Sequence, residues 1–182
     1  AFCLLEKCST REMFKELDYQ QTSIGELTLR QRTDPRFGEE IIFEVKLGDE
    51  FLMSSLVTAG ELALADMALN KLGGDSPDTV IGGLGLGFTT AAALAFPSVR
   101  SVTIVEALAA VIDWHKGELV PLGSTISADP RCQFHCADFF KLAVSANGFC
   151  PDGLGSSQKQ QFDAILLDID HSPQHRLTDA GT

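Results

Sequence analysis

The chain has no long apolar run and no leader-like start, and each absence excludes a class of protein. None of its apolar stretches reaches the ~18 residues that a membrane-spanning helix needs. The opening residues, Ala1–Lys7, have neither the basic start nor the long apolar core of a signal peptide. We therefore expect a cytoplasmic protein that works without a membrane.

Basic residues are also scarce. Lysine and arginine number 14 against 25 aspartates and glutamates, and the net charge is −11. A nucleic-acid partner is not expected, because neutralising phosphates takes a surplus of basic side chains. The acidic balance is compatible with a cationic small-molecule partner, and also with solubility alone.

The cysteines are few and odd in number, so they predict no disulfide framework. The five are Cys3, Cys8, Cys132, Cys136 and Cys150. In Cys132–Cys136 the alternate side chains share one face of a predicted strand, which favours buried packing over a zinc site. Pro173 lies between His171 and His175 and disfavours a shared helical face. We predict no metal.

Two domains are predicted, 1–56 and 57–182. In the first, residues 1–20 are interpreted as a short helical lead-in. Residues 22–55 are interpreted as a small antiparallel β unit, because polar and apolar residues alternate in Glu26–Gln31. A second run, Ile41–Leu47, is separated from Phe51–Met53 by Gly48-Asp49, which is typical of a hairpin turn.

The second domain opens with a predicted helix, since Thr58 and Glu61 have the spacing of a capping box. Apolar residues recur behind it at helical spacing: Leu62, Ala65, Leu69 and Leu72. Gly73-Gly74 would end this helix.

From residue 78 onward, strands alternate with helices. Strands are predicted at 79–81, 101–105, 131–137 and 162–167, with helices at 89–95 and 108–118. This alternation indicates a parallel sheet, in which the apolar last strand would be central. The stretch 145–160, rich in Gly, Ser and Gln, is predicted to be a surface loop. The predicted fold is α/β and Rossmann-like, and the small antiparallel unit precedes it in the chain.

A glycine-rich turn follows the first of these strands, in Gly82–Gly87. Gly83, Gly85 and Gly87 would let the backbone approach a ligand closely, and the next helix would offer unpaired N–H groups. Open α/β sheets bind ligands at the edge where their strands end.

Acidic residues follow the other three strands. Glu106 could accept hydrogen bonds from both hydroxyls of a ribose. Asp138 could accept one from the exocyclic amine of an adenine, and Phe139 could stack on the face of its ring. Asp168 closes the last strand. Any one of these acids could merely cap a helix, but three at successive strand ends indicate a nucleoside site.

The glycine pattern separates two nucleotide folds. A dinucleotide fingerprint would need a third glycine where Phe88 stands. Over about residues 78–170, Gly83-x-Gly85-x-Gly87 with Asp138-Phe139 resembles class I S-adenosylmethionine-dependent methyltransferases instead. The resemblance implies S-adenosylmethionine, or its decarboxylated form, as the cofactor.

A narrower resemblance is to the spermidine synthase (aminopropyltransferase) branch of that fold. It comprises the β unit, the helix after it and the strand 162–168. It implies that Glu106 binds the donor's ribose and Asp138 its adenine. Asp168 would be the catalytic aspartate that steers or deprotonates an attacking amine, with Asp170 assisting. The resemblance also implies a homodimer formed through the β unit.

The chain departs from that branch in two places. The turn Asp168–Pro173 is one residue longer than the family's Asp-Ser-x-Asp-Pro. In the first helix Leu64 replaces a tyrosine, while Glu61 and Asp66 keep acids that would bind the acceptor. Methyl transfer to a small, amine-bearing acceptor is therefore the first hypothesis, and aminopropyl transfer is the alternative.

A third hypothesis is a non-catalytic partner subunit with the same fold. Only residues 169–182 follow Asp168, whereas class I folds continue with further strands. The sheet is expected to be truncated at its C-terminal side, and an open edge invites pairing with another chain.

Overall fold

The computed structural model of the chain describes residues 13–38, 40–72, 76–145, 149 and 161–169. The chain divides into two compact units, and the boundary lies between Leu56 and Val57. Within the described ranges, no helix combines the length and apolar character needed to cross a membrane.

The first unit contains an antiparallel sheet whose strands neighbour one another in chain order. Its strands are β1 Phe14–Thr22, β2 Gly25–Thr33, β3 Ile41–Leu47 and β4 Glu50–Ser54. The hairpin predicted around Gly48-Asp49 is confirmed, with Leu47 opposite Glu50. Leu27 and Leu29 alternate with more exposed neighbours along β2 and are fully buried.

The predicted helical lead-in is wrong for its described residues. Residues 1–12 lie outside the described part, and residues 14–22 form β1 instead of a helix. A bulge between Glu16 and Asp18 shifts the pairing of β1 with β2. Because a bulge interrupts the alternation of side chains, the period of two is hidden in the sequence.

The second unit is a Rossmann-like α/β fold, as predicted. Its sheet is parallel, in the order β7-β6-β5-β8. The strands are β5 Asp78–Gly82, β6 Ser101–Glu106, β7 Cys132–Cys136 and β8 Ala164–Leu167. The helices are α1 Ala59–Leu72, α2 Phe88–Leu94, α3 Ala109–Lys116, α4 Gly123–Ala128 and α5 Phe139–Val144. The sequence did not predict α4 and α5, which are too short to show a helical period.

The core lies along the two inner strands. Val80, Ile81, Val102 and Ile104 are fully buried in β5 and β6. The outer strands are less buried than predicted. Cys136 of β7 is exposed, so the expectation of buried packing across Cys132–Cys136 fails at that end.

The strand β8 was predicted to be central. Among the described residues it pairs with β5 alone, and Ile165 is 61% exposed. Its neighbours Ala164 and Leu166 are buried. Only one face of β8 is covered in the described part. The sequence does not show which face is buried, because the residues on both faces are apolar.

Candidate functional site

The glycine turn after β5 forms a loop between the ends of β6 and β8. The Gly83 N–H donates to the carbonyl of Val105 at 2.9 Å, and the Asp168 N–H donates to the carbonyl of Gly82 at 2.8 Å. Gly83 has φ +92°, and a Cβ there would collide with the main-chain carbonyl oxygen of Asp168. Glycine is thus needed at position 83 for the loop to lie against the end of β8.

Glu106 ends β6, and its carboxylate is tied to this loop. Its Oε2 accepts a hydrogen bond from the Leu84 N–H at 2.9 Å, and its Oε1 accepts one from the Leu108 N–H at 2.8 Å. Burial raises the pKa of the Glu106 carboxyl, although these backbone donors oppose the shift. The backbone N–H groups of Ala107 and Gly85 also favour the charged form of this carboxylate, and its bond to a ribose stays a prediction.

Asp138 follows β7 and caps α5. Its Oδ1 accepts a hydrogen bond from the Lys141 N–H at 3.1 Å, and this bond lowers the pKa of its carboxyl. The capping role that any strand-end acid can have is therefore present here. The side chain is 43% exposed, and its Oδ2 pairs with the Lys141 ammonium at 3.4 Å on the surface.

Phe139, the aromatic neighbour of Asp138, belongs to the core. It is 8% exposed and lies in one buried cluster with Val80 and Val105. Its ring centroid is 4.9 Å from that of Phe149. Its contact with an adenine stays a prediction.

Asp168 follows β8, and its side chain is held by Thr89 of α2. The Thr89 hydroxyl donates to Asp168 Oδ2 at 2.6 Å and lies 3.5 Å from the main-chain carbonyl oxygen of Glu61. The structure therefore brings the start of α1 close to Asp168. Asp66 is exposed farther along α1, and Asp170 lies outside the described residues.

Sequence reasoning missed two residues at this site, Thr89 and His115. His115 of α3 is fully buried, and its Nε2 lies 2.9 Å from the carbonyl oxygen of Gly85. Burial lowers the pKa of the imidazole. A signal was present, because His115 follows the buried Val111 by four residues and so shares its helical face.

The residues described contain no group of three or more His, Cys, Asp or Glu side chains that could hold a metal ion. His171, His175 and Cys150 lie outside them. The absence of a metal therefore stays a prediction.

No protein-family model matches the chain, and no curated protein matches it in sequence. Solved structures do match. A spermidine synthase in complex with the transition-state analogue AdoDATO has a TM-score of 0.62 at 19% identity, over 85% of this chain and 47% of the other. The spermidine synthase from Thermotoga maritima has a TM-score of 0.61 at 19% identity, over 88% and 49%. The chain thus has a spermidine synthase-like fold and spans about half the length of these two structures.

Proposed function

We propose that the second unit binds an adenosyl sulfonium donor at the edge where its strands end, and transfers an aminopropyl group from it to an amine. One observation carries the proposal. The glycine loop lies between two acids, bonded to Glu106 through the Leu84 N–H and to the main chain of Asp168 through Gly82. Decarboxylated S-adenosylmethionine is the proposed donor, because both similar structures are spermidine synthases.

Residues from three strand ends would hold such a donor. Glu106, which ends β6 and is bonded to the glycine loop, would accept hydrogen bonds from the ribose hydroxyls. Asp138 would accept from the exocyclic amine of adenine. The loop Gly83–Gly87 would contribute close-lying backbone, so that three strand ends share the recognition of one nucleoside.

When bound, the donor supplies a carbon that its positively charged sulfur already activates. The protein must then align the amine, exclude water and remove a proton. Asp168 would attract the incoming ammonium and accept its proton. The freed nitrogen lone pair would form the C–N bond while the C–S bond breaks and its electron pair stays on sulfur.

The acceptor is proposed to be a small cation. The net charge of −11 favours cationic ligands over anionic ones. Glu61 and Asp66 of α1 are the proposed acceptor-binding acids, and the main chain of Glu61 already lies near the hydroxyl that bonds Asp168. A homodimer is proposed on the resemblance alone.

Methyl transfer from S-adenosylmethionine is the second candidate. Two features of the sequence favour it, namely the longer turn after Asp168 and Leu64 in place of the tyrosine of spermidine synthases. A pocket shaped for a different acceptor would be consistent with both.

Calorimetric titration with each donor tests the proposal, followed by mass spectrometry of a reaction with 1,4-diaminobutane. We expect tighter binding of the decarboxylated donor and a product that carries an aminopropyl group. Asp168→Asn should lower kcat by about 10²–10⁴-fold and leave donor affinity unchanged. Asp113→Asn, at an exposed acid of α3, is the matched control and should behave as wild type.

Two results would contradict this assignment in different ways. A methylated product, with preference for S-adenosylmethionine, would replace aminopropyl transfer by methyl transfer. Binding of neither donor would leave the non-catalytic partner subunit as the better description.

A further inference from the structure

The hydroxyl of Thr89 has one proton and two acceptors within reach. Asp168 Oδ2 is at 2.6 Å, and the carbonyl oxygen of Glu61 is at 3.5 Å. The longer distance is outside the normal range for an O–H donor, and a charged acceptor makes the stronger bond. The Thr89 hydroxyl therefore donates its hydrogen bond to Asp168. No other described residue donates to this carboxylate.

The bond is buried on the threonine side. Thr89 is 2% exposed, and a buried hydroxyl without a partner costs free energy. The next residue gives a comparison inside the same helix. Thr90 is 1% exposed, and its Oγ1 has no hydrogen-bond partner in the described part of the chain. Two buried threonines thus stand side by side, and only Thr89 is directed at a strand-end acid.

Both the main chain and the side chain of Asp168 are held by other elements. Its main-chain N–H bonds to Gly82 of β5, and its carbonyl lies against Gly83. Its Oδ2 is bonded to Thr89 of α2. With main chain and one oxygen held by different elements, rotation of the carboxylate is restricted and Oδ1 is left as the available acceptor.

We propose that Thr89 is a positioning residue for Asp168. It holds Oδ2 so that Oδ1 meets the ammonium of the acceptor in one orientation. This inference rests on the proposed function, because it assigns to Asp168 the task of accepting a proton. Preorganisation of this kind affects the chemical step more than binding, since a misplacement of about 1 Å can cost about 10²-fold in rate.

Three variants test the proposal by steady-state kinetics with decarboxylated S-adenosylmethionine and 1,4-diaminobutane. Thr89→Val keeps the shape and removes the hydroxyl, so kcat should fall by roughly 10–100-fold with little change in the KM for the donor. Thr89→Ser restores the hydroxyl and should recover the rate to within about threefold of wild type. Thr90→Val is the matched control and should keep the wild-type rate. Thermal unfolding of all three identifies any variant that fails to fold.

The possible failures are distinguishable. If wild type binds and turns over the donor, and Thr89→Val matches Thr90→Val in kcat, the role of Thr89 is wrong and the proposed function stands. The role of Thr89 is equally wrong if Thr89→Ser is as slow as Thr89→Val. If wild type neither binds a donor nor transfers a group, the proposed function fails and this inference falls with it.

Discussion

His115 is hydrogen-bonded to the glycine loop, with its Nε2 2.9 Å from the carbonyl oxygen of Gly85. A carbonyl only accepts hydrogen bonds, so Nε2 carries the proton of the neutral ring. The other nitrogen, Nδ1, is buried and has no hydrogen-bond partner among the described residues. The imidazole is therefore suited to its site in one tautomer and one charge state.

Replacing His115 separates its hydrogen bond from its packing. His115→Gln keeps an N–H donor of similar reach, whereas His115→Met fills a similar volume without a donor. We expect His115→Met to lower the free energy of unfolding by about 1–3 kcal/mol, because the carbonyl of Gly85 loses its partner. His115→Gln should lose less, and urea unfolding measures both. Equal losses in the two variants would show that packing alone matters.

The same residue predicts a dependence of stability on pH. In the folded protein burial lowers the pKa of His115, while in the unfolded chain histidine titrates near ~6.5. Below that pH the unfolded state binds the proton more readily, so the contribution of His115 is complete above about pH 6.5 and declines as pH falls toward the folded pKa.

The comparison with His115→Gln isolates this contribution, since all other groups are shared. The free energy of unfolding of wild type minus that of the variant should be smaller at pH 5.5 than at pH 7.5. A difference that does not change with pH would contradict the assignment.

The parts of this site that the sequence revealed are those set by local pattern. Glu106 and Asp168 could be located because each stands at the end of an apolar strand, and parallel strands end at one edge. Thr89 could not, because its partner is 79 positions away in the chain and a threonine near a helix start has many local uses. For the same reason β1 was missed, since its bulge at Glu16–Asp18 depends on pairing with β2.

Gly87 is the point where the glycine loop packs against α3 and α4. It has φ +90°, and a Cβ there would collide with Ile126 Cδ1 and lie 2.7 Å from His115 Cε1. Gly87→Ala combines backbone strain with overpacking, and we expect it to cost about 2–4 kcal/mol of stability. Chemical denaturation measures the loss.

Gly60→Ala is the control for Gly87→Ala, because nothing lies within 4 Å of a Cβ at that position of α1. Alanine is the better helix former, so this variant should be neutral or more stable by up to about 1 kcal/mol. Combining Gly87→Ala with Ile126→Val removes the nearest clash, and the double variant should recover part of the loss. Full additivity of the two changes would mean that the contact with Ile126 is unimportant.

Glu106 tests the proposed recognition of a ribose most directly. Glu106→Gln turns one of its two accepting oxygens into a donor, which faces the N–H of Leu84 or of Leu108. We expect the affinity for adenosine to fall by about 1.5–3 kcal/mol, roughly 10–150-fold in Kd. The affinity for 2′,3′-dideoxyadenosine should change far less, because that nucleoside lacks the diol.

The nucleoside titrations should be done at about pH 8. Burial raises the pKa of the Glu106 carboxyl, and the charged form is the one being tested. Glu118→Gln, the same change at an exposed position after α3, should leave both affinities as in wild type. Unfolding curves on the same samples separate lost binding from lost structure. Equal weakening of the two nucleosides by Glu106→Gln in a folded protein would exclude a bond to the ribose. Glu106 would then be a structural support that holds Leu84 and Leu108, and the adenosyl site would have to be sought elsewhere along the sheet.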